Sequence, residues 1–125
     1  MLLDTCALIW LAEGGDRLSP PARAAIAAAP AVYVSAVTGF EIGVKAAHRK
    51  LDLPIPAREW FAAIVEHHGL SVASLDLEAC IASTELPPVH ADPCDRFLIA
   101  TARARGWPII TADPLFRQYD VEVVW

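Results

Sequence analysis

Four acidic side chains stand where an acidic site could be assembled. Asp4 follows the apolar run Met1-Leu2-Leu3, Glu41 sits between Phe40 and Ile42, Asp95 lies in Pro93-Cys94-Asp95-Arg96, and Asp113 comes shortly after Ile109-Ile110-Thr111. Gathered in one crevice, four carboxylates repel and raise one another's pKa unless cations share the site. Mg²⁺, with Mn²⁺ as a substitute, is the natural occupant, being a hard cation that prefers oxygen. Such a centre suits phosphodiester hydrolysis, because a bound metal activates a water and stabilises charge on the phosphate and the leaving oxygen. Asp4, Glu41, Asp95 and Asp113 are the expected catalytic residues, and Asp4, Asp95 and Asp113 the expected metal ligands. Two metals about 3.5–4 Å apart, or one metal with Glu41 as base, both satisfy the pattern.

Each acid also has a plain structural explanation. Asp92 reads mostly as a helix N-cap. Asp95, three residues on, would favour the positive end of that helix. Glu41 and Lys45 are spaced for an ordinary i,i+4 pair, and Asp113-Pro114 can start a turn. Among the remaining residues, His90 reads as a loop histidine ahead of acid or phosphate ligand, and Thr5 and Thr111 read equally as caps or as partners of a metal-bound water. His67-His68 reads as a helix end. Cys6 has no evident histidine partner, which argues against a thiol nucleophile. No glycine-rich phosphate loop occurs, which argues against a nucleotide-binding Rossmann or P-loop protein.

The elements that must position these acids are legible from pattern. Strands are predicted at Met1–Leu3, Val32–Ser35, Leu70–Ala73, Ile109–Thr111 and Val121–Val124, from short apolar or β-branched runs. Helices are predicted from Thr5 to Ala12, stopped by Gly14-Gly15; over Ala22 to Ala29, opened by Ser19 as cap with Pro20 at the first helical position and ended at Pro30; and from about Val37 to Arg49. Trp60, Phe61, Ile64, Val65 and His68 give helical spacing closed by Gly69, and Leu77–Ala82 gives a short helix. The segment 92–105 carries the strongest signals, with Asp92 as cap, Pro93 at the first position and Gly106 as the stop. Alternation of strands and helices predicts an α/β fold of three layers around a central, mainly parallel five-stranded sheet. In such sheets sites form beyond the carboxyl ends of the strands. Asp4 and Asp113 fall at two of those ends, and Glu41 and Asp95 lie on helix starts able to face the same crevice.

At 125 residues the chain reads as one domain, 1–125. A hydrophobic fraction of 55% and a mean hydropathy of +0.39 fit a parallel sheet buried on both faces. No apolar run approaches the roughly 20 residues of a membrane span, and the opening lacks the pattern of a secretory signal. Three scattered cysteines read as free thiols of a cytoplasmic protein. The net charge of −5 argues against non-specific duplex binding, yet an acidic enzyme can act on RNA where cations neutralise its acidic cluster.

The motifs together resemble the PIN-domain ribonucleases, in particular the VapC toxins of bacterial type II toxin–antitoxin pairs. LLDTCALIWL is similar to that family's first motif, VSAVTGFEIGVK to its second, HADPCDRFLIATA to its third and TADPLFRQYDVEVVW to its fourth, so the resemblance runs from about Leu2 to Trp125. Cys6 and Cys94 stand where His and Phe are expected, and Gly39-Phe40 where Leu-Trp is usual. None of these departures removes an acid, and Asp92 falls within the third motif. The resemblance implies a magnesium-dependent endoribonuclease that cleaves cellular RNA and arrests growth. It also implies a small antitoxin partner whose tail fills the acidic groove, and a homodimer. Two rival readings are a phosphorylatable receiver-type signalling domain and an interaction module without catalysis. The receiver would need a lysine near the end of the last strand, and the chain has none after Lys50.

Overall fold

The computed structural model describes residues 1–125. Its five strands are short: β1 (Leu2–Leu3), β2 (Tyr33–Ser35), β3 (Ser71–Ala73), β4 (Ile109–Ile110) and β5 (Val123–Val124). They form one sheet in the order β3-β2-β1-β4-β5, and all four pairings are parallel. Six α-helices connect them: α1 (Thr5–Glu13), α2 (Pro20–Ala28), α3 (Ala36–Ala47), α4 (Ala57–His67), α5 (Leu77–Glu85) and α6 (Pro93–Arg105). A 3₁₀ turn at Pro114–Gln118 lies between β4 and β5.

Side chains alternate across the strands, and this divides the core into two layers. Leu3, Val34 and Ile110 pack with Ala7, Leu8, Ala22 and Trp60 on one face, against α1, α2 and α4. Leu2 and Ile109 point the other way and pack with Leu98, Ile99, Ala100 and Phe116. Leu2, Leu3, Val34, Ile109 and Ile110 on the strands are fully buried, which is why the strands read as unbroken apolar runs. The expected three-layer α/β/α architecture is therefore the observed one. None of the helices is long and apolar enough to cross a membrane.

β1 lies at the centre, with β2 on one side and β4 on the other. That order excludes the receiver arrangement, in which the first strand lies between the second and the third. The strands are each one or two residues shorter than expected, and two other elements differ more in kind. α5 continues to Glu85 because the hydroxyls of Ser83 and Thr84 donate to the carbonyls of Cys80 and Ile81, three residues back, instead of breaking the turn. The segment after Asp113 coils into a 3₁₀ helix with Pro114 in its first turn, where a bare turn was expected.

Candidate active site

Register sets the first acid. Leu3 pairs with Val34 on β2 and Ile110 on β4, so Asp4 stands level with Ser35 and Thr111 at the carboxyl edge of the sheet. The Asp4 N–H donates to the Ile110 carbonyl at 3.1 Å. At this edge each strand hands over to a helix or turn, and the polar residues found there act as caps. Asp4 accepts from the Ala7 N–H (2.5 Å), Ser35 from Val37 (3.2 Å), and Asp113 from Leu115 (2.8 Å). Asp92 caps α6 by accepting from the Cys94 N–H at 2.8 Å. A parallel sheet makes this a general outcome, since strand ends lead into helix starts, where Asp and Ser are favoured and the backbone dipole is positive. Structural explanation and convergence therefore hold together for these acids.

Asp95, in the first turn of α6, and Asp113, past β4, meet on either side of His90. The His90 Nε2 is 2.9 Å from Asp113 Oδ2 and 3.2 Å from Asp95 Oδ2. The three candidate ligand atoms lie within 4.8 Å of one another. Asp4 stands outside this tight group because its carboxylate is turned onto the first turn of α1, yet its charge is felt by both Asp95 and Cys6. Glu41 projects from the middle of α3. Its Oε2 accepts from the Thr5 hydroxyl at 2.5 Å, and its Oε1 accepts from Lys45 Nζ at 2.5 Å. The expected i,i+4 pair is thus real, and it sits on the same crevice.

Burial raises the Asp4 pKa above the usual range. The Thr111 hydroxyl and the Ala7 N–H pull it back, while the charges of Glu41 and Asp113 push it further up. Asp95 is pushed up to about 7, first by burial and then, against the lowering effect of His90, by the charges of Asp92, Glu41 and Asp4. On Lys45, burial would lower the pKa, but the hydrogen bond and charge of Glu41 outweigh it and the net shift is upward. Burial and the neighbouring carboxylates also raise the thiols, Cys94 to about 11. Both shifts favour the protonated thiol, which argues against a thiol nucleophile on this edge. Two carboxylates this close, one of them hard to ionise, with one lysine engaged by Glu41, make an oxygen-rich donor set that fits a divalent cation.

Sequence reading placed His90 in a loop without a role, and it assigned none to Arg96 or Tyr119. The Arg96 guanidinium donates to the carbonyls of Ser83, Leu86, Pro87 and His90. Tyr119 accepts from the His90 N–H at 2.6 Å and donates to the Pro87 carbonyl. The only signal available in sequence was the closeness of His90, Asp92, Asp95 and Arg96 within one short segment.

The PIN domain family model matches residues 1–122. The chain is also 32% identical over 122 residues to Ribonuclease VapC22 of Mycobacterium tuberculosis, covering 95% of this chain and 91% of that protein. The chain belongs to the PIN-domain family. Solved structures share the fold of this PIN domain at low identity. The VapBC2 complex of Rickettsia felis, bound to a DNA fragment from its promoter, superposes with a TM-score of 0.72 at 11% identity, covering 98% of this chain and 95% of that one. VapC20 of Mycobacterium tuberculosis, a toxin that cleaves the sarcin–ricin loop, gives 0.67 at 18% identity, covering 96% and 95%.

Proposed function

We propose that this PIN domain is a Mg²⁺-dependent endoribonuclease, with Mn²⁺ as a substitute, and the toxin of a VapBC-type pair acting in the cytoplasm. The observation that carries the reading is the gathering of Asp4, Glu41, Asp95 and Asp113 on one sheet edge, within reach of one another's charge. Membership of a family that includes a ribonuclease 32% identical to this chain supports RNA as the substrate. When bound, the cation supplies a polarised water and neutralises charge on the phosphate. Asp95 and Asp113 would hold it, with Asp4, whose carboxylate is turned onto the start of α1, as the third proposed ligand. Glu41, fixed by Thr5 and Lys45, keeps a carboxylate at the crevice to accept a proton. The amino end of α6 offers its dipole to a phosphate.

The partner that fits this site is a cognate antitoxin whose basic side chain enters the acidic crevice and takes the place of the cation. The VapBC complexes among the structural neighbours support a protein partner. So does an open groove of 560 Å³ between α3 and α4, lined by Gly39, Gly43, Phe61, Val65 and Val72, with Phe40 exposed on α3. A homodimer completes the proposed assembly. The test is expression of the chain with and without the adjacent gene, followed by sequencing of RNA ends. New RNA ends and growth arrest that the adjacent gene suppresses are expected. Absence of any new ends from the active chain expressed alone would refute the reading.

A further inference from the structure

His90 is held from every side. Its N–H donates to Tyr119 and its carbonyl accepts from Arg96 at 3.1 Å. The ring is 9% exposed and stands edge-on to Phe116, with centroids 5.6 Å apart. The backbone N–H of Asp92 lies 3.2 Å from Nδ1. A backbone N–H can only donate, so Nδ1 must present its lone pair, and the ring proton sits on Nε2. Nε2 is the atom that lies between the two carboxylates, 2.9 Å from Asp113 and 3.2 Å from Asp95. A nitrogen carrying a proton has no lone pair to offer a metal. Removing it would leave two carboxylate oxygens facing each other across the gap it fills, with nothing to offset their repulsion.

We propose that His90 is a positioning residue: its Nε2–H, fixed by the Asp92 backbone, donates to Asp113 and sits against Asp95, keeping the two carboxylates apart in the pose that receives the cation, without ligating it. The assignment rests on the cation reading given above and adds to it which residue shapes the site. Carboxylates that bind metals are themselves commonly held by hydrogen bonds from residues behind them, and losing such a partner typically costs ~10–100-fold in metal affinity. The second oxygen of Asp113 is held in the same manner by the Leu115 N–H at 2.8 Å. Asp95 accepts no such hydrogen bond; its one close polar neighbour is the same His90 Nε2, at 3.2 Å, while the hydrogen bond of Nε2 goes to Asp113.

Mn²⁺ binding to chelator-treated protein, measured by calorimetry, tests the role with two variants. His90→Phe keeps the ring against Phe116 and removes the donor; His90→Gln keeps a donor at the reach of Nε2. His90→Phe is expected to weaken Mn²⁺ binding ~10–100-fold, and His90→Gln to restore most of the affinity. A His90→Phe protein that is folded by circular dichroism and binds as tightly as the wild type overturns the positioning role while leaving the cation reading intact. Failure of the wild-type chain to bind Mn²⁺ overturns the cation reading, and the role of His90 falls with it. Long-range ¹H–¹⁵N spectra of the wild-type ring give a check that needs no variant. The proton is expected on Nε2 both before and after Mg²⁺ is added, and its finding on Nδ1, or its loss from Nε2 with metal, refutes the proposal.

Discussion

Asp95 is an acid whose protonation reaches into the neutral range, because burial and then the charges of Asp92, Glu41 and Asp4 oppose its ionisation, partly offset by His90. In the unfolded chain it titrates near 3.8, whereas in the fold it titrates at about 7. Between those values the folded state binds the extra proton, so stability falls as pH rises. Metal-free protein is therefore expected to lose thermal stability steadily as pH rises from about 4 to about 7, and a flat profile over that window would contradict the placement of Asp95. Asp4→Asn separates charge from shape at the neighbouring position. Asn caps a helix as well as Asp, so the variant should fold with equal or greater stability without metal, while RNA cleavage falls by at least the ~10–100-fold that losing a metal-supporting group costs. Asp92→Asn should keep both stability and cleavage, since Asp92 caps α6; a loss as deep as that at Asp4 would place Asp92 in the chemistry. The acids were legible in sequence because strand ends are legible. His90 was not, because its partners Asp113 and Tyr119 lie 23 and 29 residues away and meet it only through the fold.

Among the elements, α6 and the loop before it do the positioning. Asp92, Pro93 and Gly106 mark the ends of α6 in the sequence, and the structure places all three as expected, with Gly106 in the left-handed conformation (φ 62°). What sequence does not display is the path of the 86–92 loop, because that path is fixed by one long side chain. Arg96 reaches back from α6 and ties the end of α5 and the loop together through four carbonyls, two of which close the exposed end of α5. Hydrogen bonds to a charged donor contribute about 1.5–3 kcal/mol each when measured singly, and such values do not add for one side chain. Arg96→Met, which keeps the apolar stem, is expected to lower unfolding free energy by about 1.5–3 kcal/mol in denaturant titrations. A change below about 0.5 kcal/mol, the usual range for an unimportant surface position, would show that the loop is held by other means. α5 was underestimated because Ser83 and Thr84, which ordinarily favour helix ends, bond back to their own helix here.

At the scale of the whole molecule, the sheet order places β1 between β2 and β4, so that Asp4 and Asp113 leave neighbouring strands at the switch point. The alternation of element types made the class of fold legible; the central place of β1, between β2 and β4, is shown by the strand order. The two-residue length of β1 and β4 was not legible, because Met1 and Thr111, the extra residues of the predicted strands, still make cross-strand backbone hydrogen bonds (Met1 carbonyl with Tyr33, Thr111 N–H with Val124) although they fall outside the strands themselves. A chain of net charge −5 that concentrates carboxylates on one edge has little electrostatic attraction of its own for RNA, and on the proposed reading a cation mediates between site and substrate. Cleavage of RNA by the purified chain, compared in Mg²⁺ and in excess EDTA with Asp4→Asn alongside, puts that reading to the test. Cleavage in Mg²⁺ by the wild type alone, abolished by EDTA and restored by Mn²⁺, is the expected result. Undiminished cleavage in excess EDTA, or by Asp4→Asn in Mg²⁺, would contradict a cation centre held by Asp4, Asp95 and Asp113.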